Sequence, residues 1–88
     1  MRRTDRIRQQ LEVALSPQHL KILDESAHHA GHVGGGPGGE THYRIEITCP
    51  QFTGISQVER HRMVYKALAS VFSEGLHALE IYTKAPGE

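Results

Sequence analysis

Cysteine is nearly absent from this 88-residue chain, Cys49 being the only one. An internal disulfide framework is therefore excluded, and the composition fits a reducing compartment. A soft-metal site would have to draw sulfur from a partner or a small-molecule thiol. Net charge is also lacking: ten Lys and Arg balance ten Asp and Glu, for a formal charge of zero with neutral histidines. Tight, sequence-independent nucleic-acid binding comes mainly from neutralising phosphates, so such a chain is a poor candidate for it, although a local basic face is compatible with neutrality. The segment from Met1 to Gln10 is charged and carries no apolar run, so it reads as neither a secretory signal nor a membrane span. The expectation is a soluble, cytoplasmic protein with no membrane contact, monomeric when isolated.

Histidine and glycine are plentiful by contrast. Residues 1–88 form one small domain, near the lower size at which a single hydrophobic core suffices. Seven histidines hold a reserve of positive charge that appears as pH falls, and imidazole is the commonest protein metal ligand. His28, His29 and His32 lie in a stretch from Ala27 to Gly39 that carries six of the nine glycines. So much glycine forbids a regular element and leaves a mobile hairpin connection. It is longer than a turn requires, which favours function over mere connection.

The periodicities around this loop predict five elements. A helix starts near Thr4, with Asp5 in its first turn and Ile7, Leu11, Ala14 and Leu15 forming one apolar stripe, and Ser16-Pro17 stops it. His19 to Ser26, with Leu20, Ile22 and Leu23, reads as a first strand. Tyr43, Ile45, Ile47 and Cys49 alternate with His42, Arg44, Glu46 and Thr48, the signature of a strand dry on one face and wet on the other, and Pro50 ends it. Ser56-Gln57-Val58-Glu59 is a capping box opening a second helix whose stripe reads Val58, His61, Tyr65, Leu68 and Phe72, with Gly75 as terminator. Leu76 to Thr83 reads as the last strand, with His77, Leu79 and Ile81 on one side.

The α-β-β-α-β order implies an α+β fold, a two-layer α/β sandwich with both helices on one face of a three-stranded mixed sheet. The final strand returns through a right-handed crossover, parallel to the strand it joins, and the first and third strands are expected to be neighbours. The arrangement is similar to the nucleic-acid-binding KH type, but no GXXG motif joins two helices to clamp a nucleic-acid backbone.

Candidate chemistry is mostly imidazole chemistry. The glycine loop lacks the Lys and Ser or Thr that a phosphate loop needs after it. His29 and His32 are three residues apart, and either can approach a metal. His61 is expected in the core on the helical stripe, with Arg60 and Arg62 projecting to either side, toward carboxylates or phosphate. His77 opens the last strand, where exposure permits ligation, and His42 falls on the wet face of the second. Cys49 is expected to behave as a small buried hydrophobe rather than a nucleophile. Neither a Ser-His-Asp nor a Cys-His constellation assembles, so an enzyme is not expected.

Several ordered motifs together carry a family resemblance. Asp24-Glu25-Ser26, the histidine loop, Gly39-Glu40-Thr41-His42-Tyr43, Phe52-Thr53-Gly54, Arg60-His61-Arg62-Met63-Val64-Tyr65 and Leu76-His77-Ala78-Leu79 resemble the BolA family over nearly the whole chain. The resemblance implies a class II KH-like fold. It also implies a monothiol glutaredoxin as partner, with a [2Fe-2S] cluster shared at the interface and no cofactor in the isolated protein. Glutaredoxin and glutathione would supply the thiolates, and this chain an imidazole at His77. A second ligand would come from the loop, at His29 by counting from Ser26, or at His32. Bacterial members of the family are also described as transcription regulators. That makes DNA the alternative partner, with Arg60, Arg62 and Lys66 as the matching cations.

Overall fold

The computed structural model describes residues 2–25 and 42–88. The histidine-glycine loop, with His28, His29 and His32, lies outside the described residues. Helix α1 spans Arg3–Leu15, strand β1 His19–Asp24, strand β2 His42–Thr48, helix α2 Gln57–Ala67, the short helix α3 Ala69–Ser73 and strand β3 Ala78–Lys84. The α+β class and the three-stranded mixed sheet are as expected. No helix among the described residues is long and apolar enough to cross a membrane.

Helix α1 begins one residue before the expected Thr4. Arg2 takes the capping position, and the Asp5 carboxylate accepts its backbone N–H at 3.2 Å, which also places a negative charge at the positive end of the helix. Ile7, Leu11 and Leu15 are the buried stripe. Ser16 enters the left-handed region at φ 47° and returns its N–H to the Glu12 carbonyl at 3.1 Å, and Pro17 prevents continuation.

Strand β2 is the centre of the sheet, in the order β1-β2-β3. It pairs antiparallel with β1, from His19 opposite Thr48 to Asp24 opposite Tyr43, and parallel with β3, from His42 beside Ala78 to Thr48 beside Lys84. The expectation that β1 and β3 are neighbours is therefore incorrect. Tyr43, Ile45 and Ile47 are almost wholly buried, whereas Leu20 and Ile22 of β1 and Leu79 and Ile81 of β3 are only partly so. The strand with the deepest inward row takes the middle and leaves the other two as edges.

After β2, Pro50–Phe52 makes one 3-10 turn that drops Phe52 into the core. The Ser56 hydroxyl then caps α2, accepting the Glu59 N–H at 3.2 Å. The expected single helix is interrupted at Leu68, whose N–H is shared between the carbonyls of Val64 and Tyr65 at 3.1 and 3.2 Å. No proline or glycine marks this site. Leu68 is wholly buried and the chain turns around it.

The buried face of α2 is also rotated from the expected one. Arg60, Val64, Leu68 and Val71 point inward, while Val58 and Tyr65 are exposed and His61 is half-buried rather than in the core. Tyr65 and Phe72 stack on each other at 5.5 Å toward the outside. The cause is Arg60, a charged residue at an inward position. Its Nε donates to the Ile55 carbonyl at 2.7 Å, and its two terminal nitrogens each donate to a Glu88 carboxylate oxygen at 2.7 Å. Its guanidinium also lies over the Phe52 ring, 5.8 Å from the centroid. A planar fork meeting a carboxylate two-to-two is the strong form of the ion pair. It ties the chain end to the start of α2.

Two stability predictions follow from these contacts. Replacing Ile45, fully buried in the central strand, with Ala should cost about 2–5 kcal/mol by combined transfer and cavity terms, and a urea denaturation series would measure it. The second concerns acid. Hydrogen bonding to Arg60, and then to the Ala85 N–H, lowers the Glu88 carboxyl from an ordinary 4.5 to about 2. A group depressed on folding contributes stability that is complete above its unfolded value and lost as pH falls through its folded one. Glu88→Gln should therefore lower stability at neutral pH and flatten the fall of the urea midpoint on acidification from pH 4.5 to 2. Some acid sensitivity should persist at Glu74, whose carboxyl is also depressed, chiefly by hydrogen bonding to Arg6. An unchanged acid profile in Glu88→Gln would remove this pair from the account.

Candidate functional site

The end of the sheet where β2 begins brings two imidazoles together, those of His42 and His77. His77 sits between α3 and β3, directly after the buried Leu76. Its path is set by Gly75, whose φ of 121° disfavours any side chain, and a Cβ there would come within 3.1 Å of Arg3 Nη2. That guanidinium donates to the Glu74 carbonyl at 2.7 Å, and Arg6 Nη2 donates to the Glu74 carboxylate at 2.7 Å. Two arginines of α1 thus hold the turn that presents His77. Leu76 anchors the turn from below and His77 itself stays exposed.

Across from it stands His42, the first residue of β2 and the register partner of Ala78. The His42 and His77 ring centroids are 6.1 Å apart, with the ring planes at 66° in an edge-to-face contact. The Glu25 N–H closes the ladder on the His42 carbonyl at 2.8 Å. The loop that starts after Glu25 therefore returns to the sheet at the residue touching His77.

A cavity of about 180 Å³ opens beside the pair, lined by Glu25, His42, Tyr43, Ala78, Leu79 and Glu80. Its two carboxylates flank Arg44, each at 3.7 Å. Glu80 also accepts the Tyr82 hydroxyl at 2.6 Å, and the Arg44 guanidinium lies over the Tyr82 ring, 5.4 Å from its centroid. The hydrogen bond to Glu80 pushes the Tyr82 hydroxyl above its ordinary value, since ionising it would set two negative charges together. Acidic oxygens at this end of the sheet are thus partly neutralised by one arginine.

Among the described residues no group of three or more His, Cys, Asp or Glu side chains is placed to hold a metal ion. Cys49 is no candidate: it is fully buried, and its thiol donates to the Leu15 carbonyl at 3.1 Å. What this end of the sheet offers is imidazole nitrogen on an open surface, able to complete a coordination sphere whose other donors come from elsewhere.

The three expected phosphate-binding cations do not form one patch. Arg60 is buried against Glu88, contrary to the expectation that it projects from the helix, because its methylenes and guanidinium fill an inward position over Phe52. Arg62 is exposed and pairs with Glu59 one turn back on its own helix. Lys66 is exposed at the edge of a groove between α1 and α2, whose lining also includes Gln10, Ala14 and Met63. The structure adds His42, expected only on the wet face of its strand, as the ring neighbour of His77. Its placement at the start of the central strand, level with the start of β3, was the available signal.

Comparison with known proteins agrees with this architecture. Residues 11–88 match the family model described as BolA-like protein. The chain is 44% identical over 92 residues to UV-induced protein uvi31 of Schizosaccharomyces pombe, covering all of this chain and 90% of that protein. It is also 44% identical over 87 residues to SufE-like protein 1 of Arabidopsis thaliana, covering 94% of this chain but only 24% of that longer protein. The solved structure of BolA1 from Arabidopsis thaliana superposes with a TM-score of 0.86 at 39% identity, covering 100% of this chain and 96% of the other. The chain belongs to the BolA family.

Proposed function

We propose that this protein is a non-enzymatic partner of a monothiol glutaredoxin and shares a [2Fe-2S] cluster with it, for iron–sulfur trafficking or for iron and redox regulation. The observation that carries the reading is the exposed His77 imidazole, held by a braced turn beside His42 at the mouth of the histidine-rich loop. The donor set suits a shared group rather than a resident one. The single thiol is buried, so thiolate sulfur has to arrive with glutaredoxin and glutathione, and imidazole is what this chain can add. His29, with His32 as the alternative, supplies the loop ligand in this reading; both lie outside the described residues. The cluster, when bound, supplies a redox-active and transferable iron–sulfur unit, while the chain's own part is to hold an imidazole in place and cover one side of it.

The test is an ultraviolet–visible spectrum of the protein mixed with a monothiol glutaredoxin, glutathione, iron and sulfide. A spectrum distinct from that of glutaredoxin alone is expected, and His77→Ala should abolish or grossly alter it without unfolding the apo protein. His29→Ala should make the cluster labile while His32→Ala matters little, and the reverse result would reassign the loop ligand. An identical spectrum and cluster lifetime with His77→Ala would remove His77 from the site.

DNA-binding regulation, the alternative function, finds less support in the geometry, since Arg60 is committed to Glu88 and Arg62 faces Glu59. Counting Arg62 and Lys66 as the remaining contacts, a salt titration of DNA binding should have a shallow slope, roughly −0.9 per phosphate neutralised. Tight, sequence-specific binding at physiological salt that is lost with Arg62→Ala and Lys66→Ala would put regulation first.

A further inference from the structure

From the free edge of β3 and the outer flank of α2 beside it we infer a docking site for an extended segment of a partner protein, which adds to β3 as a further strand of the sheet. This goes beyond the shared-cluster reading and does not depend on it.

Hydrogen bonding comes first. In a strand the N–H and C=O of one residue point to the same side, and those of the next residue to the other. The Lys84 carbonyl accepts the Cys49 N–H at 2.9 Å, so Lys84, Tyr82, Glu80 and Ala78 turn their backbone groups toward β2. Those of Leu79 and Ile81 point the other way, to the side where the sheet ends, and among the described residues nothing pairs with them there. Only another extended backbone offers alternating donors and acceptors at this spacing, which fixes the chemistry of the occupant. Edge strands are ordinarily blunted by lysine, proline or a bulge. The other edge, β1, has Lys21 in its middle, whereas β3 from Leu79 to Thr83 holds neither lysine nor proline.

Packing supplies the second half. Helix α1 rests on β1 and α2 on β3, where the Thr83 hydroxyl donates to Gln57 Oε1 at 2.7 Å. Met63, Lys66 and Ala67 face α1 across the groove they share with Gln10 and Ala14. At about 3.6 residues per turn, Val58, His61 and Tyr65 form the opposite flank, on the side of the free β3 edge. Phe72 continues it by stacking on Tyr65. Mutual stacking is the simpler account of the two rings, yet it leaves Tyr65 43% and Val58 62% exposed. Nor does it cover Leu79 and Ile81, which are only partly buried. A strand added to β3 closes the ladder and lays every second side chain against this flank, so those side chains have to be apolar. A nucleic-acid strand suits the site less, because the flank carries no Lys or Arg and Glu80 stands on β3 beside it.

The experiment selects binders of the full chain from a displayed library of random peptides seven residues long, the length of β3. Selected peptides are then synthesised, and amide exchange of the protein is followed by NMR with and without them. Binders should carry apolar residues at alternate positions. They should slow exchange at Leu79 and Ile81, which is fast in the free chain, while Glu80 and Tyr82 are protected throughout. Methylating the peptide's edge-facing amide nitrogens should abolish binding, and this tests the ladder without altering the protein. Tyr65→Ala, at an exposed position, should weaken binding roughly tenfold. So should Ile81→Pro, which removes an outward donor where an edge strand tolerates proline. Val13→Ala, on the exposed side of α1, should retain wild-type affinity. A library without binders, binders indifferent to N-methylation, or unchanged exchange at Leu79 and Ile81 would overturn the proposal. Protection of these two amides by single-stranded DNA alone, or by dimerisation of the free chain, would overturn it in favour of nucleic acid or a second copy.

Discussion

The alternation along β2 is the constraint on which the rest of the structure depends. Its inward row, Tyr43, Ile45 and Ile47, is covered by the helices, and its outward row, His42, Arg44, Glu46 and Thr48, is half-exposed. A slip of one residue would exchange the two rows and bury Arg44 and Glu46 without water, so the register is strongly fixed. Because β2 pairs on both sides, fixing it fixes β1 and β3 as well. The same register sets His42 level with Ala78 and so brings it against His77. The position of the candidate site is thus a consequence of core burial several residues further along the strand.

A second tie operates at the other end of the sheet. Arg60 replaces an apolar side chain at an inward position of α2, and its charge is tolerated because every direction it presents is answered: the Ile55 carbonyl, both Glu88 carboxylate oxygens and the Phe52 ring. A buried arginine without such partners would be strongly destabilising. The arrangement also explains why a basic residue beside Arg62 is withdrawn from the protein's surface charge. Two residues with the same formal charge, two positions apart, do different work because one faces the core and the other faces Glu59 and solvent.

The parts of the fold legible from sequence were those where side-chain chemistry and burial agree. Tyr43 to Thr48 declares itself by alternation, Ser56 by its capping chemistry, and Ser16-Pro17 by what it prevents. The parts that were not legible are those where the two disagree. Arg60 counts as a surface residue in any hydrophobic pattern, so the stripe through Val58, His61 and Tyr65 looked better than the true one through Arg60, Val64 and Leu68. The break at Leu68 has no breaker residue, and only three-dimensional packing reveals it. Strand order was misread for a similar reason: a hairpin followed by a parallel crossover allows the last strand to join either member of the hairpin, and it joins β2 rather than β1. His77 was singled out by its sequence context, but its ring contact with His42 depends on that order.

The same topology separates two kinds of surface. The helices cover one face of the sheet, and the opposite face is lined by charges of both signs, with Arg44 between Glu25 and Glu80 and with Tyr82 beside them. The charges of Arg44 and the two carboxylates offset one another, although the Arg44 Nε makes no hydrogen bond. Such a face holds little unspent electrostatic attraction for a phosphate backbone, in keeping with the chain's zero net charge. The imidazole pair at the sheet end differs in kind. Neutral imidazole nitrogen is a good ligand without carrying charge, so a protein can expose it at no cost in solubility and with little attraction for the wrong ions. The exposed His77 imidazole cannot by itself enclose a metal and keep it from solvent. In the proposed complex His77 would complete a metal centre that another molecule brings, and the buried position of Cys49 would leave the sulfur part of that centre to the other molecule.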